Sequence, residues 1–120
     1  MADLTIISNS GKLTIDLFFE GEMHFGPMYF KPRFVGFQPE LTPSFITENI
    51  VWSLDDKYVA LAEVSANLDS MKLLLINTAN GSVKILDQCK GLLVPISVSN
   101  SGEVEFEWRE KGVKEIRVRA

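Results

Sequence analysis

The chain has 120 residues, of which 46% are hydrophobic and 23% charged, and its formal net charge is −4. Such a balance predicts one domain (1–120) with a real core and argues against disorder. The acidic excess counts against direct nucleic-acid binding, which favours a basic face, and suits a protein that meets a basic partner.

In chain order, Met1-Ala2-Asp3-Leu4 lacks the basic stretch and long apolar run of a signal peptide. No segment has the apolar length needed to cross a membrane, so a cytoplasmic protein without membrane contact is expected. Leu4 to Ile7 reads as a short strand and Ser8 to Gly11 as a turn. Lys12 to Phe19 alternates, with Leu13, Ile15, Leu17 and Phe19 on one side. Glu20-Gly21-Glu22 reads as a tight connection, and Met23 to Phe30 as a strand interrupted by Gly26-Pro27. Arg33 to Gln38 is a candidate fourth strand, and Pro39, Thr42, Pro43 and Ser44 mark a linker.

A second unit begins near Ile50. Ile50-Val51-Trp52 reads as a short strand and Asp55-Asp56 as its turn. Lys57 to Val64 and Met71 to Asn77 are apolar on both faces, as strands covered on both sides should be. Ser65 to Ser70 is a polar loop between them. Ala79-Asn80-Gly81-Ser82 predicts a type I′ hairpin turn, since Asn-Gly supplies positive φ angles. Val83 to Leu86 closes the unit. Cys89, the single cysteine, leaves no intramolecular disulfide and no multi-cysteine zinc site. A third unit has strands over Pro95 to Val98, Glu103 to Arg109 and Val113 to Val118, and the sequence stops where a fourth strand is expected. The segment Thr47 to Val51 is the best helical candidate and is too short to matter.

These units share a pattern. Ser8-Asn9-Ser10-Gly11 recurs letter for letter as Ser99-Asn100-Ser101-Gly102, with Ser53-Leu54-Asp55-Asp56 midway. A period in the mid-forties is the mark of stacked β-sheet units, here about 4–46, 47–91 and 92–120. Leu13, Ile15 and Leu17 align with Val104, Phe106 and Trp108. In a regular stack both sets point the same way, so one set would face away from the middle unit. Either the register slips between units, or one apolar face is left for a partner.

The stretch Trp52-Ser53-Leu54-Asp55-Asp56-Lys57-Tyr58-Val59-Ala60, with Leu74-Leu75-Ile76-Asn77-Thr78-Ala79-Asn80-Gly81-Ser82-Val83, resembles a blade of a TolB-type or WD-repeat β-propeller. The resemblance implies an all-β fold of three blade-like antiparallel sheets, the last incomplete, forming an open half-propeller; a β-sandwich is the alternative. Propellers close with four to eight blades, and fewer than three are present here.

No nucleophile elbow, phosphate-cradling glycine loop or zinc-protease helix motif occurs. Neither an enzyme nor a cofactor or metal site is expected. Glu103, Glu105 and Glu107 share one strand face, with Glu110 just beyond, and form an acidic stripe that could meet a basic partner or could simply be a solvated face. Asp69 sits in the protruding Ser65 to Ser70 loop, where contacts concentrate. Asp55 and Asp56 could hold a cation, but turn chemistry explains them as well. His24 is the only histidine and is expected to be structural. Seven of the eight phenylalanines, Phe18, Phe25, Phe30, Phe34, Phe37 and Phe45 among them, precede Thr47 and are expected to be packing residues.

The open, partial propeller of this size and its acidity resemble the cognate immunity proteins of bacterial contact-dependent toxins. That resemblance implies a basic toxin domain as partner, such as a nuclease, whose active cleft the acidic residues cover. The alternative is an assembly module that homodimerises through its open propeller edge.

Overall fold

The computed structural model of the chain describes residues 1–23 and 26–120. His24, expected in a structural role, and Phe25, one of the clustered phenylalanines, lie outside the described residues. Ten strands form three antiparallel sheets, and the described residues contain no helix. The first sheet comprises β1 (Leu4–Ile7), β2 (Thr14–Glu22) and β3 (Met28–Val35). The second comprises β4 (Val51–Trp52), β5 (Tyr58–Val64), β6 (Met71–Asn77) and β7 (Val83–Cys89). The third comprises β8 (Leu92–Val98), β9 (Val104–Glu110) and β10 (Val113–Arg119). Strands follow chain order across each sheet, and none of the three closes into a barrel. The all-β class and the three antiparallel sheets agree with the sequence reading.

The middle sheet is covered on both faces, because its strands are apolar at nearly every position. Val59, Ala60, Leu61 and Ala62 are fully buried in succession. Val59, Leu61, Leu74 and Ile76 pack with Ile15, Leu17, Phe30, Phe37 and Ile46 on the side of the first sheet. Ala60, Ala62, Leu73 and Leu75 pack with Leu93, Val104 and Phe106 on the side of the third. The small side chains of Ala60 and Ala62 leave room for the bulk of Phe106. Ile46 also joins the first two sheets through backbone bridges to Phe30 and Glu63.

Four local expectations are corrected. Glu20-Gly21-Glu22 is no turn: β2 runs through it, with a bulge between Phe19 and Gly21 that brings Gly21 opposite Tyr29. There is no fourth strand over Arg33–Gln38. Arg33 to Val35 complete β3, Gly36 then takes a left-handed φ of 94° that ends the strand, and Pro39 and Pro43 lack ladder donors. The Asn80-Gly81 turn is not type I′, since of the two only Gly81 has positive φ. The loop is longer, closed by the Gly81 N–H on the Asn77 carbonyl at 2.7 Å, while the Asn77 side chain accepts from the Ala79 N–H at 2.9 Å. The strand after it extends to Cys89.

The question of facing is settled by one residue. In the first two units the turn serine pairs with the residue five positions on: the Ser8 N–H bonds the Leu13 carbonyl, and the Ser53 N–H bonds the Tyr58 carbonyl, each at 2.9 Å. In the third unit the Ser99 N–H bonds the Glu103 carbonyl, four positions on, at 2.8 Å. Strand side chains alternate with period two, so a one-residue slip exchanges the faces of the whole strand. Val104, Phe106 and Trp108 therefore turn back onto the middle sheet, and Glu103, Glu105 and Glu107 turn outward.

Candidate functional site

The three copies of the repeat are three β-turns of like geometry at one end of the sheets. Each closes on its serine carbonyl: from the N–H of Gly11, Asp56 and Gly102, all at 3.0 Å. The closing residue is left-handed in each, with φ of 79°, 62° and 89°. Glycine adopts this without penalty, and aspartate is among the few other residues that do so readily. Each serine hydroxyl accepts a backbone N–H of the following strand, from Leu13, Tyr58 and Glu103 at 3.0 to 3.1 Å.

The turns also dock on one another. The Asn9 amide donates to the Ser53 carbonyl at 3.0 Å. The Ser10 N–H and hydroxyl both donate to Asp56 Oδ2, the former at 3.2 Å. The Asp55 N–H donates to Asn100 Oδ1 at 3.2 Å. Asp55 itself accepts from the Ser53 hydroxyl at 2.7 Å and the Lys57 N–H at 3.0 Å. Burial pushes the Asp56 carboxyl up, but hydrogen bonds led by Ser10 outweigh it and hold its pKa below the ordinary 3.8. The Ser53 hydroxyl and the Lys57 N–H lower that of Asp55 likewise. Both aspartates are thus engaged in holding turns together, and no group of three or more possible metal ligands occurs among the described residues.

The acidic stripe divides into two kinds of residue. Glu103 and Glu105 are exposed and form no ion pair among the described residues. The Glu107 carboxylate is mostly covered, with Arg109 at 2.7 Å and Lys114 at 3.2 Å. Burial pushes its carboxyl up, and the cations of Lys114 and Arg109 overcome this and set its pKa below the usual carboxylate range. Glu110 accepts the Lys90 N–H at 2.8 Å. Asp69 borders a cleft of about 380 Å³ with Met23, Leu68, Lys90 and Leu92. Lys90 thus lines the cleft that Asp69 borders and holds Glu110 through its backbone N–H.

Sequence reasoning missed the apolar half of this surface. Glu105 lies opposite Val118, and Glu107 opposite Ile116, so all four share the outer face of the third sheet. Ile116 and Val118 are 57% and 47% exposed, and Ile96, at the bulge between Pro95 and Ser97, is 45% exposed. The alternation of Val113 to Val118 carried a signal, but the facing of that strand depended on the slip. Of the phenylalanines, Phe30 and Phe37 are buried and Phe34 and Phe45 pack against the cores, whereas Phe19 is about half exposed. Cys89 is buried, and burial raises its thiol pKa, which leaves it a poor nucleophile.

No protein-family model matches the chain, and no curated protein does.

Proposed function

We propose that the chain is a non-catalytic binding protein that neutralises a cognate protein partner through the outer face of its third sheet. The observation that carries this reading is the pairing on one face of two free carboxylates, Glu103 and Glu105, with the exposed apolar side chains of Ile96, Ile116 and Val118. An apolar centre supplies residence time, and unpaired charge at its border supplies encounter rate and orientation. The partner suited to it is basic with an apolar patch of its own. The likeness to immunity proteins of contact-dependent toxins supports a toxin domain, with a nuclease the natural candidate because carboxylates can stand where phosphates bind. Three open sheets of blade-like turn pattern support the same reading, since they offer uncovered edges and faces to a partner.

The test is co-purification followed by an activity assay. A basic toxin domain saturated with this chain should lose its nuclease activity, and retention of full activity sinks the reading. Reversal of both charges, Glu103→Lys with Glu105→Lys, should weaken the complex at least about tenfold and flatten its salt dependence. Unchanged affinity across salt concentrations would remove the two glutamates from the surface.

A further inference from the structure

The two ends of the stack carry complementary outer faces. On the first sheet, Thr5, Asp16 and Arg33 lie opposite one another across three strands, as do Ile7, Thr14 and Val35, and Phe18 lies opposite Lys31. All these turn away from the middle sheet, because the neighbouring Ile15 and Leu17 are fully buried against it. Ile7 and Val35 are exposed, and the Arg33 guanidinium covers the Phe18 ring at 5.4 Å. Arg33 neutralises Asp16, at 2.5 and 3.1 Å, which leaves Lys31 as an exposed cation with no ion pair among the described residues. The third sheet leaves two unpaired carboxylates, Glu103 and Glu105, beside Ile96, Ile116 and Val118. The first face is thus apolar with one unpaired cation, Lys31, and the Asp3 carboxylate held by the Phe19 N–H, and the other is apolar with two unpaired anions next to the Glu107–Arg109–Lys114 cluster.

The turns point the same way. Adjacent sheets of this chain are locked by turn-to-turn hydrogen bonds, in which the Asn9 amide reaches the serine carbonyl of the next turn. The terminal turns repeat the same letters, Ser-Asn-Ser-Gly. Asn100 uses only its oxygen, toward Asp55, and its amide nitrogen has no partner among the described residues. The Ser8 carbonyl accepts only the Gly11 N–H, so one lone pair remains.

We infer that the occupant of these faces in the free protein is a second copy of the chain, stacked head to tail, with the third sheet of one copy against the first sheet of the next. The inference rests on the reading of the third sheet's outer face as a contact surface, and it makes self-association the state that a basic partner must displace. A head-to-tail contact uses two different faces, so copies close into a ring where the rotation allows. Like-sheet contact, carboxylates against carboxylates, is opposed by repulsion.

Crossed charge reversal tests this. The wild-type chain should show a mass of two or more times 13.5 kDa in light scattering. Lys31→Glu alone and Glu105→Lys alone should each weaken association at least about tenfold, because each sets like charges together. An equimolar mixture of the two variants should restore it. Contacts in the mixture alternate: one joins the two reversed side chains, and the next joins the unaltered Lys31 and Glu105, so opposite charges meet at both. The two altered positions are exposed, and circular dichroism confirms folding of each variant. A monomeric wild type overturns the inference, as does an oligomer that ignores both reversals or a mixture that fails to reassociate. A monomer that still inhibits a basic partner leaves the partner reading standing, so the two fail separately.

Discussion

Asp56 carries two tasks at one position. Its backbone takes the left-handed φ of 62° that closes the second turn, and its carboxylate receives two hydrogen bonds from Ser10 of the first. Asp56→Ala should cost about 1.5 to 3 kcal/mol in urea denaturation, the range for hydrogen bonds to a charged group. Asp56→Asn keeps a residue tolerant of left-handed backbone and one acceptor oxygen for Ser10, and removes the charge. The folded carboxyls of Asp56 and Asp16 sit below their ordinary 3.8, the latter through hydrogen bonds from Arg33 and Thr5. A depressed pKa stabilises fully above the unfolded value and is lost as pH falls through the folded value. The thermal midpoint should therefore hold steady from neutral pH to about 4 and fall below it. Asp56→Asn should start lower and fall less steeply, and an acid limb identical to wild type would remove Asp56 from this role. That Asp55-Asp56 makes a turn was legible from its residue types. That Asp56 binds Ser10, 46 residues earlier, was not, because the repeat shows likeness between turns and not contact between them.

The third unit's turn decides the fate of β9 (Val104–Glu110). With five residues from serine to paired residue, as in the other units, Glu105 and Glu107 would meet the apolar middle sheet and Phe106 would meet water. Burial of carboxylates there is prohibitive without partners. Deletion of Glu103 with the four-residue turn kept brings Val104 to the paired position and turns Phe106 outward and Glu105 inward, so it should lower the urea midpoint severely. The loss of Phe106 from the core alone is worth about 3 to 5 kcal/mol. A variant as stable as wild type would mean that the register is set elsewhere. The strands of the middle sheet were legible because both faces are apolar and the loop Ser65 to Ser70 is polar. In the first sheet Glu20-Gly21-Glu22 misled, since a bulge and a turn use the same residue types. The missing fourth strand there reflects Gly36, whose conformation no alternation pattern reveals.

At the scale of the molecule, two apolar clusters lie on opposite faces of one sheet, and both need it. Trp52 packs against the cluster on the first-sheet side and Trp108 against that on the third-sheet side, where Arg117 stacks on its ring at 4.0 Å. With one tryptophan kept at a time, through Trp52→Phe or Trp108→Phe, fluorescence should report a single common unfolding transition. Clearly separated midpoints, beyond the shift in overall stability, would show that the outer sheets melt independently. Leu61→Ala on one face and Phe106→Ala on the other should each cost about 2 to 5 kcal/mol and move that same transition. The sequence by itself determined the all-β class, the three antiparallel sheets, the covered middle sheet and the inventory of acidic residues. Periodicity and turn chemistry are local properties that a residue string carries. Only the tertiary structure decided which way the third sheet faces, how the three turns dock, and which glutamates stay free. Those outcomes hang on a turn one residue shorter, on hydrogen bonds between residues 44 to 46 apart, and on cations brought to Glu107 from its own strand and the neighbouring one.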